Sequence, residues 1–439
     1  SSAGIDAERS CDFRRKLPCV ATFSPAATPD QIDSPGMRAA GRELLSLALM
    51  DARNHTLNLL THHEQAAADP PPGPSQDGWE PALWLAGHTG WFAEYWIGRN
   101  TQRALGPRCP AEPLRLASVE PQADAWWHPA LVPLAQRGQP GLPDAGATRA
   151  WLLDTLESTL ELLDKAGDGD DALYFYRLAL FHEDLRGEQL ITMAQTLGLP
   201  IRLALPGGAQ PRAPLQVPAT RWLLGLPAGG FAFDIERPAH DVAVPDFEID
   251  AQPVTWAQFV EFVDDGGYDR AEFWQPEGWE WLQALAARDG RRGPRHVEQI
   301  GVASGAVMQT LFGRAVRMSG GQPAMHLSWW EADAWCRWAG RRLPTEVEWE
   351  VAAHQAARQG FRWGDVHEWT ASTLRPWPGF QADPWTALAD WSGPHWLGRA
   401  RVLRGGSFAT RSRMKHPKYR GFAAPERDDR FVGFRSCAF

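Results

Sequence analysis

The sequence predicts a multidomain chain of α plus α+β class, a four-helix bundle followed by an irregular α+β domain. Three observations predict it. Helical hydrophobic spacing recurs four times between residues 37 and 198. A proline-rich run without periodicity, 199–216, follows as a linker. Beyond it come short apolar runs, many Gly, and fifteen of the chain's 23 Trp, all from Trp256 onward. At 439 residues the chain has length for about two or three domains with cores of their own.

Residues 1–36 carry Ser, Pro, Ala and Asp without period and are expected to form an irregular arm. The spacing predicts a first helix from Met37, with Leu44, Leu45, Leu47, Leu49, Leu57, Leu59 and Leu60 close to one broad face. DPPPGPSQDG (69–78) ends it by proline and glycine. A second helix is expected from about Glu80 to Ile97, with Pro81 in its first turn. A Pro- and Gly-rich loop covers 105–147. A third helix, 148–166, is broken by GDGDD, and a fourth runs from Ala172 to Leu197. Four helices with one long crossover make 37–198 a bundle of the kind that seats metals in its core. In 217–439, TWAQFVEFVDDGG and SWWEADAWCRWAG are amphipathic, start after Thr or Ser and end near Gly, as capped helices do. No internal repeat is visible.

Lys plus Arg number 44 against 53 Asp plus Glu, a net charge of −9. An acidic chain without a long basic run argues against a nucleic-acid partner. No apolar run approaches the ~20 residues of a membrane span, and the N-terminal residues lack a signal core. Cys11, Cys19, Cys109, Cys336 and Cys437 are odd in number, scattered and form no CxxC. That usage fits a reducing compartment, so a cytoplasmic location is expected. The first residue is Ser, which points to a trimmed start.

Two histidines carry the metal reading. His88 lies mid-helix in LAGHTGWF and His182 mid-helix in LFHEDLRGEQL. A lone mid-helix His is usually a satisfied core or surface residue. Two on different helices of one bundle are candidate ligands, because imidazole suits iron and zinc. One turn after His182 stands Arg186. Guanidinium offers no lone pair, so Arg186 is no ligand.

On these residues the second and fourth helices resemble the DinB-type domain of the ergothioneine and ovothiol sulfoxide synthases. That family holds non-haem Fe(II) with three His, one on the second helix and two in an HxxxH on the fourth. The resemblance implies that His88 and His182 are metal ligands, with Arg186 at the third ligand's position. His62, His63, Glu183, Glu188 or a water would then complete the site. Glu183 points about 100° away from His182 on an ideal helix.

From about 217 to 439 the chain resembles the formylglycine-generating-enzyme-like, or sulfatase-modifying-factor, domain. The stretches that carry it are FEIDAQPVTWAQFVEFVDDGGY, PAMHLSWWEADAWCRWAGRRLPTEVEWEVAA, HEWTAS, PWPGF, VLRGGSFATRSRMKHPKYRGF and RFVGFR. The implied fold is C-type-lectin-like. Formylglycine-generating enzymes use a Cys pair near the C-terminus. After RGGSF this chain has no Cys until Cys437, so that activity is not expected. A DinB-like bundle followed by this domain is the architecture of the sulfoxide synthases. In them the active site lies between the domains.

In the ergothioneine branch the segment matching YRGFAAPER reads Arg-Asn-Trp-Asp, with an Arg four residues after the Asp. Here it reads Arg420, Gly421, Phe422, Ala423 and then Arg427. The resemblance makes Arg420, Phe422, Ala423, Arg427 and Arg186 substrate-binding candidates. Phe422 keeps an aromatic wall able to face a quaternary ammonium. Ala423 removes the carboxylate that would pair a donor's α-ammonium, a contact worth roughly 1.5–3 kcal/mol. A donor without an ammonium group fits that change. The selenoneine synthases, which take a selenosugar, are such a branch, and ELLSLALMDARNHTL also looks like it.

The resemblance therefore implies a C–Se bond formed by Fe(II) and O₂ between C2 of the hercynine imidazole and a selenosugar. A thiol donor such as γ-glutamylcysteine is the alternative. A non-catalytic protein that binds sugar or hercynine is the alternative from another class. A different DinB-type enzyme, such as a thiol-dependent transferase, is a further one. The family uses a Tyr near the metal, which has no secure match here. Tyr419 and Tyr95 are the candidates. Arg186 either binds an anionic substrate group or forms an ion pair with Glu94 or Glu183.

Overall fold

Four long helices build the N-terminal half of the computed structural model, which describes residues 29–67, 80–138, 141–301, 306–388 and 396–439. They are α1 (Arg42–Ala67), α2 (Ala82–Ala93), α3 (Ala145–Asp164) and α4 (Asp170–Leu197). The apolar spacing decides what each buries. Leu45, Leu49, Leu59 and Leu60 of α1 are at most 3% exposed. They face Trp84, Leu85, Trp91 and Phe92 of α2, and Leu173, Leu178 and Phe181 of α4. Asp144 caps α3 by accepting from Ala147 N at 2.8 Å. Gly198, at φ +69°, ends α4 in the left-handed conformation that suits glycine. Pro81 sits at the cap of α2, one place before the first turn expected of it. The last turn of this helix widens to a π turn over Glu94–Gly98.

Among the described residues the C-terminal half holds short sheets and four α-helices. β1 (Leu215–Val217) pairs antiparallel with β4 (Phe247–Ile249), and β2 (Thr220–Leu224) with β3 (His240–Val244). β5 (Val297–Gly301), β6 (Ala306–Leu311) and β7 (Arg314–Met318) form a meander. The sheet that reaches the site has the order β10 (Gly421–Ala423), β9 (Arg401–Gly405), β8 (His367–Thr373), β11 (Val432–Phe434). Only its β8–β11 pairing is parallel.

The helices are α5 (Trp256–Asp264), α6 (Pro276–Asp289), α7 (Trp329–Trp338) and α8 (Glu346–Gln355). α7 and α8 start from capping boxes, Ser328 with Glu331 and Thr345 with Glu348. α6 was not among the expected helices, although Pro276 at its start and Gly290 at its end mark it.

The two halves share their cores. Phe231, Phe233, Ile235, Trp385 and Met414 pack into the bundle's cluster, while Leu59, Leu85 and Leu190 join that of the C-terminal half. Ion pairs reinforce the join. Arg413 donates to both carboxylate oxygens of Asp184 at 2.6 and 2.7 Å, and Arg38 to Glu236 at 2.7 and 2.9 Å. Residues 1–28 of the expected arm lie outside the described residues. Its remainder is more regular than expected. Pro29–Ile32 form one helical turn, and Arg413 holds it by donating to Ile32 O at 3.0 Å.

Among the described residues no helix is long and apolar enough to cross a membrane. Cys109, Cys336 and Cys437 are buried free thiols; Cys11 and Cys19 lie outside the described residues.

Candidate functional site between the bundle and the C-terminal sheet

A cavity of about 290 Å³ opens between α4 and the β8–β9–β10 sheet. The bundle contributes Glu80, Arg137, Arg186, Glu188 and Gln189. The opposite wall brings His367 from the start of β8, Leu403 from β9, and Tyr419 to Phe422 on and before β10. Helix period explains the first wall. Arg186 and Gln189 lie one turn apart on α4, so both face the same way.

His88 and His182 meet behind this wall. Each is 1% exposed, and their rings stand edge to face with centroids 5.5 Å apart. His182 stacks on Phe92 at 3.8 Å, and His88 on Trp84 at 4.9 Å. Nδ1–H of His88 donates to Trp127 O at 2.9 Å, which fixes the tautomer and orientation of the ring. Trp127 reaches that place only because residue 87 is glycine. A Cβ on Gly87 would fall 2.0 Å from the Trp127 indole nitrogen. Burial, then the charge of Arg186 and the His88 ring, hold the His182 imidazole well below its usual pKa, so it is neutral at pH 7.

Arg186 stands between the histidines and the cavity. Its Nε–H donates to His182 Nε2 at 3.3 Å, and its Nη1 to Glu80 Oε2 at 3.1 Å and Gln189 Oε1 at 2.8 Å. Glu80 also accepts from Arg137, which lies over Trp84 at 3.9 Å. The ion-pair partner is thus Glu80, not Glu94 or Glu183 as expected. Glu94 accepts from Ser118 and the Val119 amide, and Glu183 is held by both arms of Arg53 and by Thr56.

Two more of the expected third ligands, His63 and Glu188, are engaged elsewhere. His63 Nε2–H donates to Leu190 O at 3.0 Å, and Glu188 accepts from His367. Among the described residues no three His, Cys, Asp or Glu side chains converge for a metal. The donor set therefore fits a metal held by two imidazoles, once Arg186 leaves Nε2. It does not fit one held by three side chains.

The sheet wall carries its own acid–base pair. His367 Nε2–H donates to Glu188 Oε1 at 2.8 Å, and Ser407 Oγ donates to the same oxygen at 3.1 Å. Burial pushes the Glu188 carboxyl up, but the His367 charge and these hydrogen bonds outweigh it and hold it below the usual range. Tyr419 lines the cavity, its ring centroid 6.4 Å from that of His367. Burial, then Glu188 and Glu236, raise its phenol, so it keeps its proton.

Phe422 faces Trp396 across 6.1 Å, and Arg420, Arg427 and Arg430 complete the wall. Arg420 is anchored by Glu346 at 2.8 and 3.0 Å, and Arg427 by Asp429 at 2.7 Å. Ala423 is 5% exposed on β10, in the core, and does not line the cavity. Tyr95 also lies apart from it, against Trp91 at 4.5 Å and under Arg115 at 3.8 Å.

Sequence reasoning missed Glu80, Arg137, His367 and Arg430. His367 was visible in HEWTAS, but nothing local showed that a glutamate 179 positions away would meet it.

The sulfatase-modifying factor enzyme 1-like domain family matches residues 210–365 and 360–438. The class is thus defined by the C-terminal wall. Over a longer span the chain is 31% identical to the hercynine oxygenase of Mycolicibacterium smegmatis, covering 90% of this chain and 98% of that one. It is also 31% identical to the hercynine oxygenase of Mycobacterium tuberculosis, covering 81% and 90%. The formylglycine-generating enzyme of Streptomyces coelicolor is 33% identical over 39% of this chain and 58% of its own length. The chain belongs to the same family as these hercynine oxygenases, with a sulfatase-modifying-factor domain as its C-terminal half.

Proposed function

We propose that this chain is an O₂-dependent oxidoreductase that modifies hercynine in the cavity between its two halves. The observation that carries the reading is the likeness to hercynine oxygenases over 90% of the chain, a span that includes both walls. His88 and His182 would hold Fe(II), which would supply O₂ activation there. Selenium is the donor atom proposed, in a selenosugar, with C–Se bond formation at C2 of the imidazole. The net change removes one hydrogen each from carbon and selenium. O₂ takes up those electrons and protons.

The chain's own residues would position the reactants and govern protons. Arg186 and Arg427 present cations for anionic groups. Phe422 and Trp396 offer aromatic faces to a quaternary ammonium. Tyr419 keeps its proton and is the proposed proton donor, with the Glu188–His367 pair beside it. Support for the selenosugar comes from the sequence alone, where Ala423 stands at the position that the resemblance gives to a carboxylate, while its methyl is buried off the cavity.

The test is product mass spectrometry on Fe(II)-loaded protein given hercynine, O₂, 1-seleno-glucose and γ-glutamylcysteine together. The expected product carries the selenium isotope pattern on the hercynine mass. A sulfoxide adduct of γ-glutamylcysteine would replace the selenium reading with a thiol donor. Intact hercynine with either donor would make the protein a binder rather than a catalyst.

A further inference from the structure

Among the described residues, each cation facing the cavity but one has an anion beside it. Arg137 and Arg186 share Glu80. Arg420 has Glu346, Arg427 has Asp429, and His367 has Glu188. Arg430 is the exception. Among the described residues no carboxylate comes within ion-pair distance of it, and its Nη1 reaches only Phe422 O at 3.4 Å. Its side chain is exposed at the rim of the cavity it lines, beside the Arg427 charge, and Asp429 and Glu188 act on it only from farther off. A guanidinium on the cavity rim without a carboxylate of its own is open to the anionic group of a ligand that enters the cavity.

The same bond fixes what lies next to it. Arg430 touches the backbone of Phe422, whose ring faces Trp396 at 6.1 Å. An uncompensated guanidinium therefore adjoins an aromatic pair. Such a pair attracts a quaternary ammonium, and the guanidinium a carboxylate. A ligand that carries both on one carbon, an α-betaine, matches the two groups at once.

We infer that Arg430 is a specificity-determining residue that receives the carboxylate of the betaine substrate while Phe422 and Trp396 face its trimethylammonium. The inference rests on the hercynine reading above. It extends that reading to a residue outside the YRGFAAPER run. It also adds to Arg427, which Asp429 anchors, a second cation with no carboxylate beside it among the described residues.

The test is titration calorimetry on the full Fe(II)-loaded chain without oxygen, comparing hercynine with its decarboxylated analogue, trimethylhistamine. Arg430→Gln is expected to weaken hercynine about tenfold or more, the scale of one charged hydrogen bond, and to leave trimethylhistamine unchanged. Arg430→Lys, which keeps the charge without the fork, is expected to fall between. Equal losses for both ligands, or unchanged hercynine affinity, would overturn the assignment. So would a loss confined to the selenosugar. Hercynine binding by the unaltered chain keeps the functional reading standing in each of these cases. Its absence in the unaltered chain would remove that reading as well.

Discussion

Arg186 concentrates the chemistry of the site in one side chain. It bonds to His182 Nε2, the atom a metal would need, and to Glu80. Replacing it by histidine removes the plug and adds a third imidazole. Arg186→His is expected to bind Fe(II) more tightly, by about tenfold or more, yet to turn over more slowly if Arg186 also orients substrate. Anaerobic metal titration and steady-state rates check the two halves separately. Weaker metal binding would contradict the placement. Tyr419→Phe is expected to cut turnover about 10²-fold, the usual scale for loss of a proton donor, with substrate binding preserved.

Much of this site could be read in the sequence. His88, His182 and Arg186 stand at helix-face spacings, and YRGFAAPER marks the opposite wall. Glu80 could not be read, because it meets Arg186 from 106 positions away. The sequence also placed Ala423 and Tyr95 with the site residues, whereas the structure buries both away from the cavity. Motif membership does not fix which face of a strand or helix a side chain takes.

Helices α2 and α4 set the geometry that these residues exploit. α2 receives Trp127 against Gly87, and this contact orients His88. Gly87→Ala is expected to displace Trp127, lower stability by about 1–3 kcal/mol as overpacking does, and weaken metal binding. Denaturant unfolding and metal titration on the same variant check it. α4 also carries Asp184, 1% exposed at its side chain and clamped by Arg413. Arg413→Ala strands that carboxylate, and a loss of about 3–5 kcal/mol is expected in denaturant unfolding.

The four bundle helices were legible because their apolar spacing extends over many turns. Their ends were less so, as in the π turn after Ala93, which shows no period of its own. The short strands were not legible individually. At three to seven residues each, they are set by long-range pairing.

At the scale of the whole molecule, shared cores and buried ion pairs make the halves one unit, so a single unfolding transition is expected. Its pH dependence follows from buried groups of opposite sign. Burial, as the first cause, lowers His296 to about 2 and His326 and His416 to about 3. Each takes up a proton on unfolding below its ordinary 6.5, so each lowers stability as pH falls from 6.5 toward 3. Burial raises Glu331 to about 7 and Asp234 to about 6. These two hold protons that the unfolded chain releases, so they favour the folded state as pH falls toward 4.5 and 3.8. Between about pH 4.5 and 6 the three His outweigh the two acids, and the lowered His55, His63, His128, His182 and His354 add to the loss of stability as pH falls. Below that range the offset from the two acids fades, and carboxylates such as Glu188 and Asp429 that the fold holds below their usual range add their own loss. A loss that begins near pH 6.5 and steepens below about pH 4.5 is expected in thermal melts.

The two-part architecture was legible from composition and linker. The shared core was not, because residues such as Phe231 and Trp385 reach the bundle from beyond the expected boundary. The central claim is that this shared cleft couples hercynine to O₂. Oxygen uptake by Fe(II)-loaded protein, with and without hercynine in the presence of donor, tests it most directly. Uptake that requires hercynine and falls with Tyr419→Phe is the predicted result. Uptake indifferent to hercynine would contradict the account.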